Sequence, residues 1–339
     1  MILLMDNEYE VVNEIINDLQ ILFNSEFSPD GKFDFRKIEE ISEKRSIYIA
    51  VDNNIMRYII EILKGNKNYN SVKQTIASLM FWSKVMKTQL TCGLALFEIG
   101  MQNANTNRSL FLQACNDVHP MEWKEMIKDS NYEFSIKAEE TILSDAWDFE
   151  YSNSPLYISN YIALLKFVTI HLTSKKSIFE QYNDFISWYY NNLLISNPLL
   201  VYVMLALIGE VKYPKKANSG NYELILKGCK NQAWDLLYIQ LINQLNDNCA
   251  EKSVYFLATN DIDIKKIFMN TYPEPFHMDS IKYICNNEDD IKNLEKTFEI
   301  ASNSIRLYKQ APDKDVYLDN LLKNILKELK GVIEGEAND

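Results

Sequence analysis

The sequence predicts an α/β protein in which helices dominate. Two short apolar runs rich in β-branched and aromatic residues, 47–51 and 254–258, are typical of buried strands. Each run ends on polar residues from which a helix can start, as happens at the carboxyl edge of a parallel sheet. Glycine (9) and proline (8) are scarce, which favours long helices over tight hairpins.

The first 46 residues predict a small helical region. Apolar residues recur every three or four positions over 7–24, which is typical of an amphipathic helix, and 35–45 follows as a more charged helix. Ser28-Pro29-Asp30-Gly31 lies between them and breaks the pattern. We therefore expect residues 1–46 to form a helical preface to the main domain.

Helical patterns dominate the chain after the first strand. Those nearest to it cover 53–64, 70–87 and 91–103, and Gly65 is placed to end the first of them. Further helical blocks are predicted at 107–116, 120–129, 134–149, 155–172, 176–195, 198–208, 221–246, 261–269, 288–307 and 315–334. The 198–208 block holds the most apolar stretch of the chain, which is too short to cross a membrane and so predicts a buried helix.

The composition is that of a globular protein, and its charge limits the function. Apolar residues make up 47% of the chain and charged residues 24%, with a formal net charge of −12. This charge does not favour a nucleic-acid surface, because phosphates bind Lys and Arg. A small basic patch or a bound cation can nevertheless reverse the sign locally.

The cysteines and histidines do not suggest a zinc site. The five cysteines are far apart and form no CxxC pair, which favours reduced, mostly buried thiols in a cytoplasmic protein. The three histidines have no close neighbours of their kind, so His-based metal sites and Ser-His-Asp triads are not favoured. The start Met1-Ile2-Leu3-Leu4-Met5 is too short for a signal peptide and lacks a basic beginning.

Four acids stand within or directly after otherwise apolar sequence. They are Asp52, Glu98, Asp235 and Asp261. A carboxylate among apolar neighbours is costly to desolvate, and several carboxylates that meet also repel one another. A divalent cation would offset both costs, and oxygen ligands without His or Cys suit Mg²⁺ or Mn²⁺.

Each acid also has a purely structural interpretation. Asp52 can be the N-cap of the helix that follows it, and Asp261 or Asp263 can cap the helix after the second strand. Glu98 can face solvent on an amphipathic helix. Asp235 can pair with a buried Lys or Tyr.

The order and context of the four acids resemble the PIN domain, a family of metal-dependent nucleases. The family's first acid closes a strand, as Asp52 does in Ile-Tyr-Ile-Ala-Val-Asp-Asn-Asn. The second is a Glu in a mid-domain helix, matched by Glu98 in Ala-Leu-Phe-Glu-Ile-Gly. The third is an Asp early in a later helix, matched by Asp235 in Asn-Gln-Ala-Trp-Asp-Leu-Leu-Tyr. The fourth follows a strand in a Thr-x-Asp pattern, matched by Thr259-Asn260-Asp261, and Asp263 competes for this place.

The resemblance implies a three-layer α/β/α domain with a central parallel sheet. This PIN-like domain would be built from residues 47–104 and 221–285. The chain between Glu98 and Asp235 is longer than in small PIN toxins, which implies a helical insertion over 105–220. Residues 286–339 would add C-terminal helices.

The resemblance also implies a metal-dependent hydrolase of phosphodiesters. Asp52, Glu98, Asp235 and Asp261 would be its catalytic residues and, with Asp263, its ligands for Mg²⁺ or Mn²⁺. One or two such ions would activate water and stabilise charge on the scissile phosphate. In one-metal versions a carboxylate can also orient the attacking water. RNA is the commonest substrate of the family, and DNA is the alternative.

Candidate substrate contacts lie close in sequence to these acids. Thr259, Lys230 and Asn53 are the first candidates, and Thr259 could hydrogen-bond a ligand carboxylate or a metal-bound water. Other lysines nearby could contact phosphates, although a solvated lysine surface is the simpler interpretation: Lys212, Lys215, Lys216, Lys227, Lys265 and Lys266.

The sequence thus predicts a cytoplasmic ribonuclease, and two other interpretations stay open. The nuclease could act as a toxin or defence effector with an inhibitory or other partner protein, and no membrane contact is expected. The alternative is a non-catalytic PIN-like or helical scaffold that binds protein or nucleic acid, which the acidic charge and the helical insertion favour. The third interpretation is a helical adaptor in which 47–51 and 254–258 are segments of core helices.

Overall fold

A computed structural model describes residues 6–99, 101–141, 152–271, 284–285, 287–303 and 306–335 of the chain. They belong to two compact units. The first comprises Met1–Tyr151 and Leu241–Lys265, and the second comprises Ser152–Gln240 and Lys266–Asp339. These units do not test the predicted division into preface, PIN-like domain, insertion and C-terminal helices, which stays a prediction.

The first unit is an α/β structure. Its elements in chain order are α1 (Asp6–Leu19), β1 (Leu22–Phe23), α2 (Phe35–Ser42), β2 (Ser46–Val51), α3 (Asn53–Leu63), a short 3-10 helix (Lys67–Tyr69), α4 (Asn70–Val85), β3 (Gln89–Thr91), α5 (Gly93–Ile99), α6 (Met101–Asn116), α7 (Pro120–Lys128), the end of α11 (Tyr222–Cys249), β4 (Ser253–Ala258) and the start of α12 (Ile262–Thr271). The helix-dominated α/β class predicted from the sequence is confirmed.

Four strands of the described residues form one sheet in the order β1-β4-β2-β3. β2 pairs in parallel with both β3 and β4, and Val51 lies opposite Ala258 where β2 and β4 end. The strands predicted at 47–51 and 254–258 are therefore confirmed, and the interpretation of these segments as core helices is wrong.

The sheet is mixed, because the predicted central parallel strands carry an antiparallel strand at one edge. β1 pairs antiparallel with β4. Its two residues fall inside the helix that the sequence predicts over 7–24, but α1 ends at Leu19 and Gln20 has a positive φ of 45°. β1 is too short to show a strand pattern of its own, and its pairing partner is more than 200 residues away.

Both faces of the central strands are buried. Ile49 of β2 and Phe256 of β4 face a core shared with α3 and α4, while Ala50 and Leu257 on the other face are buried as well. A strand covered on both faces is apolar throughout, which explains the continuous apolar runs in the sequence. The polar residues that directly follow β2 and β4 therefore lie next to buried strand ends.

The sequence predicts a helix over 134–149. This prediction is wrong for 134–141, the part of the range that the structure describes. Residues 129–141 instead form an irregular segment, called here the 129–141 segment. The Glu122 carboxylate accepts the Ser135 N–H at 2.6 Å, and Gln113 bonds the backbone of Lys137 and Glu139. These side chains satisfy backbone groups that a helix would otherwise pair. Residues 142–149 lie outside the described part of the chain.

All helices and strands assigned among the described residues of the second unit are helices. Its elements are α8 (Pro155–Thr173), α9 (Ile178–Asn192), α10 (Asn197–Leu207), most of α11, the rest of α12, α13 (Glu288–Asn303), α14 (Leu307–Gln310) and α15 (Lys314–Glu334). α10 is buried over most of its length, as its apolar sequence predicts. Among the described helices α8 is long and apolar enough to cross a membrane, and 61% of that stretch is buried inside the structure.

Candidate functional site

Asp52 directly follows β2 and begins α3. Its backbone is extended, and its Oδ1 accepts the Ile55 N–H at 2.7 Å, so the expected N-cap role is confirmed. Its own N–H donates to the carbonyl of Ala258 at the end of β4, 3.0 Å away. The side chain is only 1% exposed. Asp52 therefore joins two strand ends as well as capping a helix.

Thr259 follows β4 and orients the second oxygen of Asp52. Its hydroxyl donates to Asp52 Oδ2 at 2.6 Å and accepts the Asp261 N–H at 3.1 Å. Its own N–H donates to the Ile21 carbonyl beside β1 at 3.0 Å. The sequence leads us to expect a hydrogen bond from Thr259 to a carboxylate, and this bond is made to Asp52.

Asp261 lies next to this pair and caps α12. Its Oδ1 accepts the N–H groups of Asp263 at 2.8 Å and Ile264 at 3.2 Å. Asp263 stands in the first turn of the same helix and is partly exposed. The structural interpretation of Asp261 as a helix cap is thus correct, and its backbone N–H lies beside the Thr259 hydroxyl.

The carboxylate of Asp52 is harder to ionise than an ordinary aspartate. Burial raises its pKa to about 6, although the hydrogen bonds from Ile55 and Thr259 lower it. The negative charges of Glu98 and Asp261 raise the pKa further. Glu98 is partly buried on α5, the helix that follows β3. The structure thus brings Asp261 and Glu98 each within electrostatic reach of Asp52.

Lys265 on α12 supplies a positive charge near these acids. Its Nζ donates to the Leu19 carbonyl at 3.2 Å and to Asn260 Oδ1 at 3.4 Å. Burial lowers the pKa of Lys265, and the charges of Asp261 and Asp52 partly offset this effect. Sequence proximity to Asp261 identified Lys265, but its anchoring by Leu19 depends on the fold.

The third predicted acid, Asp235, lies in the second unit. It is partly buried on α11. Lys230 on the same helix is exposed, and its Nζ lies 5.8 Å from the ring centroid of Tyr161. Trp234 is buried against Tyr157, with ring centroids 4.6 Å apart.

The other predicted substrate contacts are exposed or partly exposed. Asn53 is the first residue of α3 and is partly exposed beside Asp52. Lys266 forms an ion pair with Glu210 at 2.9 Å. The remaining lysines of the second unit lie on its exposed surface: Lys212, Lys215, Lys216 and Lys227.

The donor chemistry at the ends of β2 and β4 fits Mg²⁺ in part. Within the described ranges, no three side chains among His, Cys, Asp and Glu lie together closely enough to hold a metal ion. Mg²⁺, however, commonly binds through one or two carboxylates, water and substrate phosphates rather than through a complete protein cage. Asp52 and Asp261 supply two such carboxylates, each already oriented by hydrogen bonds.

Comparisons with known proteins do not assign this chain to a family. No protein-family model matches it, and no curated protein or solved structure matches it either.

Proposed function

We propose that the protein is a PIN-like nuclease that cleaves RNA with Mg²⁺ or Mn²⁺. The observation that carries this proposal is the position of Asp52. β2 lies between β3 and β4. The next strand along the chain, β3, pairs on one side of β2, and the last strand, β4, pairs on its other side. Such a reversal in strand order is where open α/β sheets bind ligands, outside the carboxyl ends of the strands.

The proposed fold is the three-layer α/β/α arrangement of that family, with β1 as an added antiparallel edge. Burial of both faces of β2 and β4 supports it. The proposed ligands from the first unit are Asp52 and Asp261, and Glu98, which the sequence predicts as a ligand, adds negative charge near Asp52. Asp261 is preferred to Asp263 because its charge raises the pKa of Asp52.

A bound Mg²⁺ would stabilise the charge that develops on a scissile phosphate and would make a bound water more acidic. The residues of the chain would orient the groups around it. Thr259 keeps the Asp52 carboxylate in one orientation through its 2.6 Å hydrogen bond. Lys265 is positioned to balance negative charge, because Asp261 and Asp52 both stabilise its charged form. The catalytic role of Asp235, in the second unit, stays a prediction from the sequence pattern alone.

Cleavage assays with matched variants test the proposal. The wild-type protein is expected to cut RNA when Mg²⁺ or Mn²⁺ is present and to lose this activity with EDTA. Asp52→Asn and Asp261→Asn should abolish cleavage, whereas Asp34→Asn should not, because Asp34 is an exposed N-cap of α2 in the same unit. Equal activity of Asp52→Asn and wild type would mean that a contaminating nuclease is responsible.

The same assay identifies the substrate and the role of the second unit. Single-stranded, hairpin and tRNA-like RNAs, together with single-stranded DNA, should be compared at equal concentration. Asp235→Asn is expected to reduce cleavage as strongly as Asp52→Asn. Full activity of Asp235→Asn would show that the prediction for this residue is wrong, without affecting the proposal for Asp52 and Asp261.

A second candidate function is a non-catalytic scaffold that binds protein or nucleic acid. The burial of Asp52 favours it, because both carboxylate oxygens already accept hydrogen bonds and the side chain is 1% exposed. In this case Asp52 would only stabilise the sheet edge. The scaffold would show no stabilisation by Mg²⁺ and no cleavage, while a gel-shift assay could still detect bound RNA.

A further inference from the structure

A cavity of about 570 Å³ lies in the first unit at the C-terminal end of α3. Residues of α3, α4, α7 and the 129–141 segment line it. Its volume is within the range of sites that bind small molecules. Asp52 caps the opposite end of α3, and the 11 residues of this helix span about 16 Å. The cavity is therefore separate from the candidate nuclease site.

The most unusual residue of the cavity is Lys73 on α4. It is 4% exposed, and its Nζ donates one hydrogen bond, to the carbonyl of Ser130 at 3.0 Å. A lysine ammonium has three donors. Within the described residues Lys73 forms no ion pair. A buried cation without a counter-ion is costly, so an anion that entered the cavity would be stabilised here.

The other charged residues of the cavity add to its positive character. Lys64 and Lys137 line it with Lys73, and Glu133 is the acid among the lining residues. Lys64 is partly neutralised by Glu61, which lies 3.5 Å away. Among the residues that line the cavity, lysines therefore outnumber acids, in a chain whose net charge is −12.

Aromatic side chains form another part of the cavity wall. Tyr132 and Phe134 both line it. Phe134 packs edge-on against the fully buried Trp123, with centroids 4.6 Å apart. The neighbouring Ser135 is held by Glu122 through its N–H and its hydroxyl. This wall is therefore ordered by the protein and offers an apolar surface to a planar group.

We propose that this cavity binds a small organic anion in which a phosphate group is attached to a planar apolar group. The phosphate would accept hydrogen bonds from the Lys73 ammonium, with Lys137 adding positive charge. The planar group would pack against Tyr132 and Phe134. The site is independent of the proposed nuclease activity, because none of these residues belongs to the proposed catalytic set.

Isothermal calorimetry with phenyl phosphate tests this proposal. Phenyl phosphate should bind more tightly than inorganic phosphate, which lacks the aromatic ring, and more tightly than phenol, which lacks the phosphate group. Lys73→Met should weaken binding about tenfold or more, because it removes a charge-assisted hydrogen bond. Lys67→Met is the matched control, since Lys67 is an exposed lysine on the short 3-10 helix and does not line the cavity.

A second variant keeps the positive charge of Lys73 and fills the cavity. Ala138→Trp places a bulky side chain at the cavity wall and should abolish binding while Lys73 remains. Thermal unfolding of each variant verifies that it is folded, and we expect Lys73→Met to be no less stable than wild type because it removes a buried unpaired charge. The proposal is overturned if wild type binds no phenyl phosphate at millimolar concentration, or if Lys73→Met binds it as well as wild type.

Discussion

The Thr259 hydroxyl donates a 2.6 Å hydrogen bond to Oδ2 of Asp52, across 207 positions of the sequence. The two residues follow adjacent parallel strands, β4 and β2. Since Ile55 N–H binds the other carboxylate oxygen, both oxygens of Asp52 are held. The Asp52 side chain thus caps α3 and links the ends of the two central strands. The same carboxylate therefore has a structural role and the proposed catalytic role.

Replacing Asp52 should destabilise the first unit. Asp52→Ala removes the N-cap of α3 and leaves the Thr259 hydroxyl without its acceptor, a combined loss of about 2–3 kcal/mol. Asp52→Asn keeps an acceptor for Ile55 and should cost less. Hydrogen exchange of the α3 and β2 amides measures this effect. Asp34→Ala, which removes the exposed cap of α2, should cost about 1 kcal/mol and leave exchange in β2 unchanged.

The raised pKa of Asp52 predicts a specific dependence of stability on pH. Its pKa rises from 3.8 to about 6 in the folded protein, so between these values the folded state binds the proton more tightly than the unfolded state. Stability contributed by this group therefore falls as pH rises from about 4 to about 7, by at most about 3 kcal/mol.

Urea unfolding of wild type and Asp52→Asn over this pH range, without divalent ions, measures the pH effect. The free energy of unfolding of wild type minus that of Asp52→Asn should decrease as pH rises and then level off. Titrations of other groups largely cancel in this difference. A difference that does not change between pH 4 and 7 would show that the Asp52 carboxyl titrates as it does in the unfolded chain.

The proposed metal site predicts stabilisation by Mg²⁺ without any substrate. An ion that binds the folded state alone raises its stability by about 1.4 kcal/mol at ten times its dissociation constant. The thermal unfolding midpoint of wild type and of Asp34→Asn should therefore rise with Mg²⁺. Asp52→Asn and Asp261→Asn should show no rise. An equal rise in all four proteins would place the ion elsewhere.

Two glycines of the second unit should respond oppositely to the same substitution. A Cβ on Gly228 of α11 would overlap the carbonyl oxygen of Lys215, whereas a Cβ on Gly331 of α15 would meet nothing within 4 Å. Gly228→Ala should therefore destabilise the unit by about 1–3 kcal/mol. Gly331→Ala should stabilise it by up to about 1 kcal/mol, because alanine favours a helix.

Thermal unfolding of the two glycine variants beside wild type checks this contrast. A lower midpoint for Gly228→Ala and a higher one for Gly331→Ala are expected. If Gly228→Ala unfolds at the temperature of wild type, the loop that carries Lys215 does not approach α11 as closely as the structure places it.

Much of the regular structure could be predicted because its signals are local. The apolar runs at 47–51 and 254–258 are strands, and most predicted helices occur within a few residues of the expected bounds. β3 was missed because three residues give no periodic pattern. The 129–141 segment was predicted in part as helix because its backbone partners, Glu122 and Gln113, belong to other elements.

The sequence by itself determined the α/β class, the two central strands and the positions of Asp52 and Asp261 after them. It did so because burial on both faces requires an apolar run, and a cap must directly precede its helix. Only the tertiary structure decided that Thr259 binds Asp52 and that Lys73 is buried in a cavity. These contacts join residues far apart in the chain, and their geometry follows from how strands pair and helices pack.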